Sequence, residues 1–565
     1  MRFRKAQSLS AAVQPVKVGL LFDATISFFT KALEASAFLQ GVKAELVDLG
    51  YDLVESSILD RSSGIYHNNL DFVLLGFSDR KAFTSFCKTL DKASFASKKI
   101  ELIDVLCTRL AEKSSTKAIC LGPTYGFDPL FGNHGLKVPH SFVRQQKAFE
   151  LGLLELADKH KNLFVQDVCS LVCVRGTNTI FDEKLYINAD QAFSMTGTAL
   201  LAEQTAKIIG AFAGFTKKCL VTDLDNTMWG GVVGDIGLEN IQIGDLGIGK
   251  AYTNYQLWLK ELKERGIILA VCSKNYEETA KRPFVEHPEM VLELEDFAVF
   301  IANWESKAEN LKKIAEILNI GMDSLVFIDD NPAERSLVRS QVSAVAVPEL
   351  PNDPVDYLQF LIQQNLFEVG SVSGFDKGRT QQYREDASRF FEKEKIPSPE
   401  EFLTSLEMRV KIEKFEPFAF PRIAQLTQRT NQFNLRTVRY TETDIERFAK
   451  SKKFFCYSFS LSDRFGDSGL VSVVILEEKP EGHLFIDTWL MSCRVFQRTL
   501  EHYMTNWMKG FARARKITII TAEYLPTPKN LYVEHLLPNM GFVKEAQWTL
   551  HCVDTPDLRS YLKET

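Results

Sequence analysis

The length and composition of the chain set the first limits on its architecture. With 565 residues it is too long for one ordinary hydrophobic core, and domains of roughly 100–200 residues predict three or four of them. Hydrophobic residues make up 45% and charged residues 25% of the chain, which argues against extensive disorder. The net charge of −6, without a long basic run, argues against wholesale binding of nucleic acid or an anionic membrane.

The N-terminal segment and the cysteines indicate a soluble, cytoplasmic protein. The basic start, Met1–Lys5, is followed by Gln, Ser and Ala instead of an apolar segment, and no apolar run reaches about 18 residues. The ten cysteines are scattered, mostly within apolar segments, as is typical of reduced core thiols. Cys169 and Cys173 have no second Cys or His pair at zinc spacing. We therefore expect no signal peptide, no membrane span and no zinc site.

Alternating strand and helix patterns predict two successive α/β domains, at residues 1–213 and 214–370. Apolar strand-like runs in the first lie at VKVGLLFD, LDFVLLGF, KAICLG and NLFVQDV. Those in the second lie at KKCLVTDLDNT, GIILAVCSKN, DFAVFIAN and SLVFIDDN. The segment YTNYQLWLKELKERG predicts an amphipathic helix, with apolar side chains at helical spacing: Tyr255, Trp258, Leu259 and Leu262.

The last part of the chain, residues 371–565, predicts a third domain preceded by a connector. The polar segment GFDKGRTQQYREDASRFFEKEK is typical of a helical connector. Strands are predicted from about Pro397 onward, near KFFCYSFSLSD, SGLVSVVILEE, HLFIDTWLM and KITIITAEYL.

Polar side chains follow three strands of the predicted middle domain. Asp223 and Asp225 come directly after the apolar run CLV, Ser273 ends GIILAVCS, and Asp329 and Asp330 follow SLVFI. Open α/β sheets place their ligands at the carboxyl ends of the strands. The sequence therefore predicts one polar site at this edge of the sheet.

Each residue of this set has an ordinary structural explanation when it is taken alone. Aspartates are common in turns, Ser273 alone would cap a helix, and Lys307, near the start of SKAENLKKIAEILN, would be a solvated charge. Together they supply a carboxylate nucleophile, an acid/base, phosphate donors and ligands for a cation. The segment Gly244–Lys250 matches a P-loop pattern, but Ala251 lacks the hydroxyl that would bind Mg²⁺, so we predict no nucleotide site there.

The order and spacing of these residues resemble the haloacid-dehalogenase (HAD) superfamily. The resemblance implies a Rossmann-like parallel sheet and a Mg²⁺-dependent phosphatase in which Asp223 is the nucleophile and Asp225 the general acid/base. It implies phosphate binding by Thr227, Ser273, Lys274, Asn275 and Lys307. It implies Mg²⁺ binding by Asp223, the backbone carbonyl of Asp225, Asp329 and Asp330. Only about 50 residues separate Asp223 from Ser273, so we expect a minimal cap and a site open to a bulky or protein-borne substrate.

Further segments resemble one branch of that superfamily, the FkbH-like phosphatases of subclass IIIC. They are DNTMWGGVVGDIG, FIDDNPAER, RTNQFNLRT, DRFGDSGLV and SCRVFQR. The resemblance implies a phosphorylated small molecule or a carrier-protein-bound, phosphoglyceryl-like group as substrate. An acyl carrier protein is the candidate partner, and nucleic acid and membrane are not.

The third domain resembles the GNAT acyltransferase fold. The resemblance implies an α+β arrangement and two groups of candidate residues. Cys493 would carry an acyl or glyceryl thioester beside Arg494 and Arg498, the alternative being an inert buried cysteine. A polar site would be lined by Asn431, Gln432 and Asn434, the alternative being turn and capping hydrogen bonds. Gln497 and Thr499 stand where the related pattern has glycines. We therefore predict no efficient acyl transfer from coenzyme A.

The first domain resembles the SGNH-hydrolase fold, a flavodoxin-like α/β arrangement. Its nucleophile turn has Phe22-Asp23-Ala24 in place of a serine-containing turn, and the late segment NADQAFSMTG has no histidine. Gly132-Asn133 remains similar to the family's Gly-Asn element. Without serine and histidine ordinary ester hydrolysis has no nucleophile or base. We predict a noncatalytic domain for recognition or assembly.

Three hypotheses for the whole chain follow. The leading one is a Mg²⁺-dependent phosphatase that works through an aspartyl-phosphate, with candidate coupling to acyl (glyceryl) transfer. The alternative is a scaffold or carrier-protein-binding module with a vestigial phosphatase fold. A third is metal-dependent phosphotransfer between small molecules, which differs from the first only in its acceptor.

Overall fold

The computed structural model describes residues 14–113, 116–124, 128–371, 379–480 and 482–565. The chain forms two compact units. The first runs through Ala213 and includes Tyr440–Ile445, and the second comprises Gly214–Arg439 and Glu446–Thr565. The basic start of the chain and the first part of the predicted connector lie outside the described residues. The predicted division at residue 370 falls within the second unit and stays a prediction.

The described strands form three sheets. In chain order they are β1 (Gln14–Phe22), β2 (Val42–Asp48), β3 (Phe72–Gly76), β4 (Lys117–Leu121), β5 (Leu163–Gln166), β6 (Cys219–Thr222), β7 (Ile268–Ser273), β8 (Phe297–Ala302), β9 (Leu325–Ile328), β10 (Arg409–Lys414), β11 (Phe454–Asp463), β12 (Gly466–Glu478), β13 (Leu484–Met491), β14 (Ile519–Ala522), β15 (Val543–Lys544), β16 (Trp548–His551) and β17 (Lys563–Glu564).

The α-helices lie between these strands. They are α1 (Ser27–Leu39), α2 (Val54–Leu59), α3 (Asp79–Lys88), α4 (Phe95–Lys113), α5 (Phe142–Lys159), α6 (Val168–Arg175), α7 (Thr177–Ile180), α8 (Glu183–Ala189), α9 (Met195–Phe212), α10 (Val233–Ile236), α11 (Gly249–Glu264), α12 (Glu277–Glu286), α13 (Lys307–Ile317), α14 (Pro332–Gln341), α15 (Tyr357–Gln364), α16 (Arg379–Lys395), α17 (Pro399–Ser405), α18 (Phe420–Arg429), α19 (Glu442–Lys450), α20 (Leu500–Ala514) and α21 (Leu536–Asn539). Within the described part of the chain, no helix is both long and apolar enough to span a bilayer.

The first unit contains a five-stranded parallel sheet in the order β2-β1-β3-β4-β5. This is the strand order of flavodoxin-like doubly wound folds. All four strands predicted from apolar runs are present. The sequence prediction missed β2, an edge strand whose residues are mostly partly or fully exposed. Its sequence, VKAELVD, mixes charged and apolar residues, because only part of the strand faces the core.

The second unit contains a four-stranded parallel sheet in the order β8-β7-β6-β9. Strand β6 is central, and Thr222 pairs with Val271 on one side and Ile328 on the other. Strands β6, β7 and β9 are buried throughout, which explains their continuous apolar runs. The predicted α/β fold with parallel sheets is confirmed, and the carboxyl ends of three strands lie side by side.

A mixed eight-stranded sheet, β15-β16-β14-β13-β12-β11-β10-β17, completes the second unit. Strand β13 pairs with β14 only over Leu484–Ile486. Beyond that point the chain's own segment Phe433–Leu435 occupies the open side of β13. The Met491 N–H donates to the Phe433 carbonyl at 3.0 Å, and the Leu435 N–H donates to the Trp489 carbonyl at 3.4 Å. No edge of β13 is therefore left free at this place.

Candidate active site

Three carboxylates meet at the carboxyl edge of the four-stranded sheet. Asp223 follows β6, and Asp329 and Asp330 follow β9. Each offers one carboxylate oxygen within 4.8 Å of the others. The parallel register of the two adjacent strands produces this arrangement, because it aligns their carboxyl ends. The structure brings these three predicted residues together.

Lys307 lies among these carboxylates. Its Nζ is 2.6 Å from Oδ2 of Asp223 and 2.6 Å from Oδ2 of Asp329, and only 2% of the residue is exposed. Burial alone would lower the pKa of Lys307, but the two carboxylates outweigh burial and raise it above its usual value. The lysine is therefore an ammonium ion that holds two of the three carboxylates in place.

The charge of the cluster is not balanced by this lysine. Burial and the charge of Asp223 raise the pKa of Asp329 to about 6, and the same two causes raise the pKa of Asp330. Oδ1 of Asp223 is buried and has no hydrogen-bond partner among the described residues. A buried anionic oxygen without a donor is unfavourable unless a cation occupies the space beside it. Asp223, Asp329 and Asp330 are therefore the residues that could hold a divalent cation, since such ions prefer carboxylate oxygens.

Two further side chains orient the acidic pair after β9. The Thr227 hydroxyl accepts the Asp330 N–H at 3.2 Å and lies 3.3 Å from Oδ1 of Asp330. Nη1 of Arg335 donates to the carbonyls of Asp329 at 2.9 Å and Asp330 at 2.6 Å. Thr227, predicted to bind phosphate, is thus engaged with Asp330. Arg335 was missed by the sequence prediction, because an arginine in the first turns of a helix carries no local signal of such a contact.

The Asp225 carboxylate lies apart from the cluster of three and has its own donors. Its Oδ1 accepts from Nε1 of Trp229 at 2.9 Å and from the Val233 N–H at 3.0 Å, and its Oδ2 accepts from Nδ2 of Asn275 at 3.0 Å. Burial raises the pKa of Asp225, and the donors from Val233 and Trp229 oppose that rise. A carboxyl with a raised pKa can carry a proton closer to neutral pH than an exposed aspartate can.

The remaining predicted phosphate-binding residues surround these groups. Ser273 is the last residue of β7 and is 2% exposed. Asn275 is buried and contacts Asp225, as described above. Lys274 forms an ion pair with Glu334 at 2.6 Å. The ammonium of Lys307 therefore lies among the carboxylates, Ser273 ends the strand adjacent to β6, and the charge of Lys274 is already paired.

The candidate residues around Cys493 have protein partners. Cys493 is partly buried and packs against apolar residues of both sheets of the second unit. Arg498 is buried, and its guanidinium pairs with Asp386 at 3.0 Å and Asp463 at 3.3 Å. Arg494 is also buried, and its Nη2 donates to the Ser468 carbonyl at 3.3 Å. The two arginines contribute to the packing of this region.

The predicted polar site of the segment TNQFNLR likewise consists mainly of contacts to backbone. Nδ2 of Asn431 donates to the Gly214 carbonyl at 2.7 Å. Oδ1 of Asn434 accepts the Thr437 N–H at 2.9 Å, and its backbone forms a bridge with Leu490 of β13. Gln432 is partly buried. The contact of Asn434 is a turn hydrogen bond, whereas Asn431 bonds to a distant backbone carbonyl, and a role of these residues in a polar site stays a prediction.

The first unit places Asp23 and Ala24 directly after β1. Oδ1 of Asp23 accepts the Ser78 N–H at 2.7 Å, and burial raises the pKa of Asp23 to about 6. The next residue, Thr25, donates its N–H to the carbonyl of Asp190 at 2.9 Å. The turn Phe22-Asp23-Ala24, which stands where SGNH hydrolases have their serine, is thus adjacent to the late segment NADQAFSMTG. A noncatalytic role for this unit stays a prediction.

A protein-family model and a solved structure match this chain. Residues 17–210 match the FkbH N-terminal domain family. The crystal structure of the N-terminal part of BF1531 from Bacteroides fragilis, which contains a phosphatase domain and is complexed with Mg, is 39% identical to this chain. That match has a TM-score of 0.62 and covers 66% of this chain and 99% of the other. No curated protein matches the chain.

Two acetyltransferase structures match a smaller part of the chain. They are the ribosomal-protein-S18-alanine N-acetyltransferase from Escherichia coli and a mutant of the spermidine N-acetyltransferase SpeG from Vibrio cholerae. Each is 12% identical with a TM-score of 0.20, and the matches cover 24% of this chain and 79% and 81% of the other chains. The GNAT-like assignment of the third sheet stays a prediction.

Proposed function

The chain belongs to the same family as the phosphatase-domain protein BF1531, and from this relationship we propose that it is a Mg²⁺-dependent phosphatase acting on phosphate monoesters. The observation that carries the proposal is the cluster of Asp223, Asp329 and half-buried Asp330 with Lys307, in which Oδ1 of Asp223 has no donor among the described residues. A scaffold with a vestigial fold would not need to keep Lys307 buried with the carboxylates of Asp223 and Asp329, since such burial is unfavourable without a ligand.

Asp223 is proposed as the nucleophile. One of its oxygens forms a bond to phosphorus while the bond from phosphorus to the leaving oxygen breaks, which gives an aspartyl-phosphate. Lys307 orients the carboxylate, because its ammonium lies 2.6 Å from Oδ2. Ser273 and Lys307 bind the phosphoryl oxygens and stabilise the charge that develops on them.

Asp225 is proposed as the general acid/base. Its proton goes to the leaving oxygen in the first step, in line with the raised pKa of this carboxyl. In the second step Asp225 takes a proton from water, whose oxygen attacks phosphorus and releases phosphate and free Asp223. Trp229 and Asn275 hold the carboxylate from opposite oxygens, so the group stays oriented in both steps.

The cation site fits Mg²⁺ by the chemistry of its donors. Three carboxylates supply the hard oxygen ligands that Mg²⁺ prefers, and Asp223, Asp329 and Asp330 are the residues that would hold it. A bound Mg²⁺ would neutralise negative charge on the carboxylates and on the phosphoryl group. We propose a phosphorylated metabolite or a carrier-protein-bound phosphoacyl group as the substrate and an acyl carrier protein as a candidate partner.

The test is release of inorganic phosphate from a panel of phosphate monoesters by the full chain, with Mg²⁺ and with EDTA. We expect turnover that EDTA abolishes and Mg²⁺ restores. Asp330→Asn should raise the Mg²⁺ concentration needed for half-maximal rate by about tenfold or more, because one anionic ligand is lost.

Glu309→Gln is the matched control, since Glu309 is an exposed carboxylate on the same helix as Lys307 and pairs with Lys312, away from the carboxylate cluster. Its metal dependence should match that of the unmodified protein. Metal-independent turnover, or an unchanged Mg²⁺ requirement in Asp330→Asn, would show that the carboxylate cluster does not hold the metal.

A further inference from the structure

Two large aromatic side chains are exposed at the carboxyl end of the four-stranded sheet. Tyr276 is 69% exposed and Trp304 is 63% exposed. Their ring centroids are 5.7 Å apart at an interplanar angle of 70°. Neither belongs to a hydrophobic core cluster of the described residues. Aromatic surface of this size in water is unfavourable, and an exposed pair with fixed mutual geometry is typical of a ligand contact.

The pair lies on the two loops that also carry groups of the proposed active site. Strands β7 and β8 are neighbours, and Ser273 pairs with Ala302 at their carboxyl ends. Tyr276 follows Ser273 by three residues, and Trp304 precedes Lys307 by three residues. The loop positions therefore place both rings beside the phosphate-binding residues.

Hydrogen bonds of Asn275 connect Asp225 with the loop that carries Tyr276. Nδ2 of Asn275 donates to Oδ2 of Asp225 at 3.0 Å, and Oδ1 of Asn275 accepts the N–H of Tyr276 at 3.1 Å. The carboxyl proposed to protonate the leaving oxygen is thus linked through the Asn275 side chain to the backbone of Tyr276. The acidic pair Asp329 and Asp330 follows β9, on the opposite side of β6. With Asp225 as the proposed proton donor, we expect the leaving group toward Asp225, and so toward the β7–β8 side.

We infer that Tyr276 and Trp304 form the leaving-group subsite of this enzyme and select phosphate esters whose leaving group has a planar or extended apolar face. This inference rests on the proposed phosphatase function. The chemistry of the two side chains supports this inference. Two rings edge to face offer stacking and C–H contacts to an apolar leaving group. Neither ring supplies the charge that recognition of a small polyol phosphate would require.

The size of the effect follows from the strength of such contacts. Aromatic contacts beyond simple area burial are worth a factor of about three to ten each. Each ring should contribute this factor to kcat/KM for an aromatic ester, mainly through KM, because stacking is present in the ground state as well as in the transition state. An ester with a small polar leaving group should gain almost nothing.

The experiment compares 2-naphthyl phosphate with glycerol 3-phosphate for the full-length protein and for Tyr276→Ala, Trp304→Ala and Trp304→Phe. For each substrate the kcat/KM of the variant is divided by that of the unmodified protein, so the intrinsic reactivity of the leaving group cancels. We expect each alanine variant to lose about three- to tenfold on 2-naphthyl phosphate and less than about twofold on glycerol 3-phosphate. Trp304→Phe should keep most of the activity.

Phe418→Ala is the matched control, because Phe418 is also 69% exposed but belongs to neither loop. It should leave both ratios unchanged. Equal losses on the two substrates, or no loss on 2-naphthyl phosphate, would overturn the inference while the phosphatase function stands. If the unmodified protein hydrolyses neither ester nor any other phosphate monoester, the proposed function itself fails and the subsite with it.

Discussion

At the residue scale, Lys307 organises the carboxylates of the middle sheet. Removal of one partner from a buried ionic cluster leaves uncompensated charge, which is far more destabilising than loss of an exposed ion pair. With its ammonium 2.6 Å from both Asp223 and Asp329, Lys307 is the contact on which the geometry of this cluster depends. Lys307 is the first residue of α13. The start of this helix therefore supplies a cation to carboxylates that follow the ends of two strands.

The sequence identified these residues because each stands next to a strong local pattern. Asp223 and Asp329 directly follow buried apolar strands, and the parallel arrangement of such strands brings their ends together. Trp229 and Arg335 could not be found in this way. Their contacts to Asp225 and to the carbonyls after β9 depend on how a turn and a helix fold back on the sheet.

A buried carboxyl in the first unit gives a stability prediction. The pKa of Asp23 is raised by burial from 3.8 to about 6, so between these values the folded protein binds a proton that the unfolded chain lacks. Stability from this group therefore falls as pH rises from about 4 to about 6, and the loss is complete above that range. Two pKa units correspond to a loss on the order of 2–3 kcal/mol at most.

Asp23→Asn should remove this loss, because the amide keeps an oxygen that can accept the Ser78 N–H and carries no charge. We expect the variant to be more stable than the unmodified protein at pH 8 and no more stable near pH 4. Calorimetric unfolding at the two pH values measures the difference. A variant less stable at pH 8 would show that the charged form of Asp23 is the favourable one.

At the scale of the elements, strands were predictable where both of their faces are buried. Strands β6 to β9, of which β6, β7 and β9 are buried throughout, were found from their apolar runs. Strands β2 and β10 were missed, because both contain exposed charged residues, and so were the short strands β15, β16 and β17. The pairing of Phe433–Leu435 with β13 was also missed. This pairing depends on the register of distant segments, which no local pattern in TNQFNLR reports.

In the turn after β13, two residues adopt the left-handed backbone conformation that glycine favours, although neither is a glycine. Gln497 has φ 60° and Thr499 has φ 58°, in the left-handed region that disfavours residues with a Cβ. Gln497→Gly should raise the free energy of unfolding by up to about 1 kcal/mol, since relief of strain exceeds the entropy that glycine gains in the unfolded chain. The Gln497 side chain is exposed and accepts a hydrogen bond from Nζ of Lys393 at 3.2 Å, so little else is lost.

Gln497→Ala separates backbone strain from loss of the side chain. Alanine retains the Cβ, and we expect it to give no stabilisation. If both variants change the free energy of unfolding equally in chemical denaturation, the left-handed conformation is not the source of the effect.

At the scale of the whole molecule, phosphate release and acyl transfer should be separable. The open side of β13 is filled by the chain itself, and Arg498 is paired with Asp386 and Asp463. We therefore expect no micromolar binding of acetyl-CoA to the full chain in calorimetry, and no change of phosphate release in Cys493→Ala beyond about twofold. Micromolar binding with thiol-dependent turnover that Cys493→Ala abolishes would establish a second, transferase activity.

The central claim is that Asp223 becomes phosphorylated during turnover. Sodium borohydride reduces an acyl phosphate to an alcohol, so quenching the full-length protein during turnover with Mg²⁺ and an accepted phosphate ester should convert Asp223 to homoserine, as read by mass spectrometry of the peptide. We predict homoserine at position 223 only when substrate and Mg²⁺ are both present, and none in Asp223→Asn. Turnover without any change at residue 223, or substrate-dependent modification of a different residue, would contradict the account.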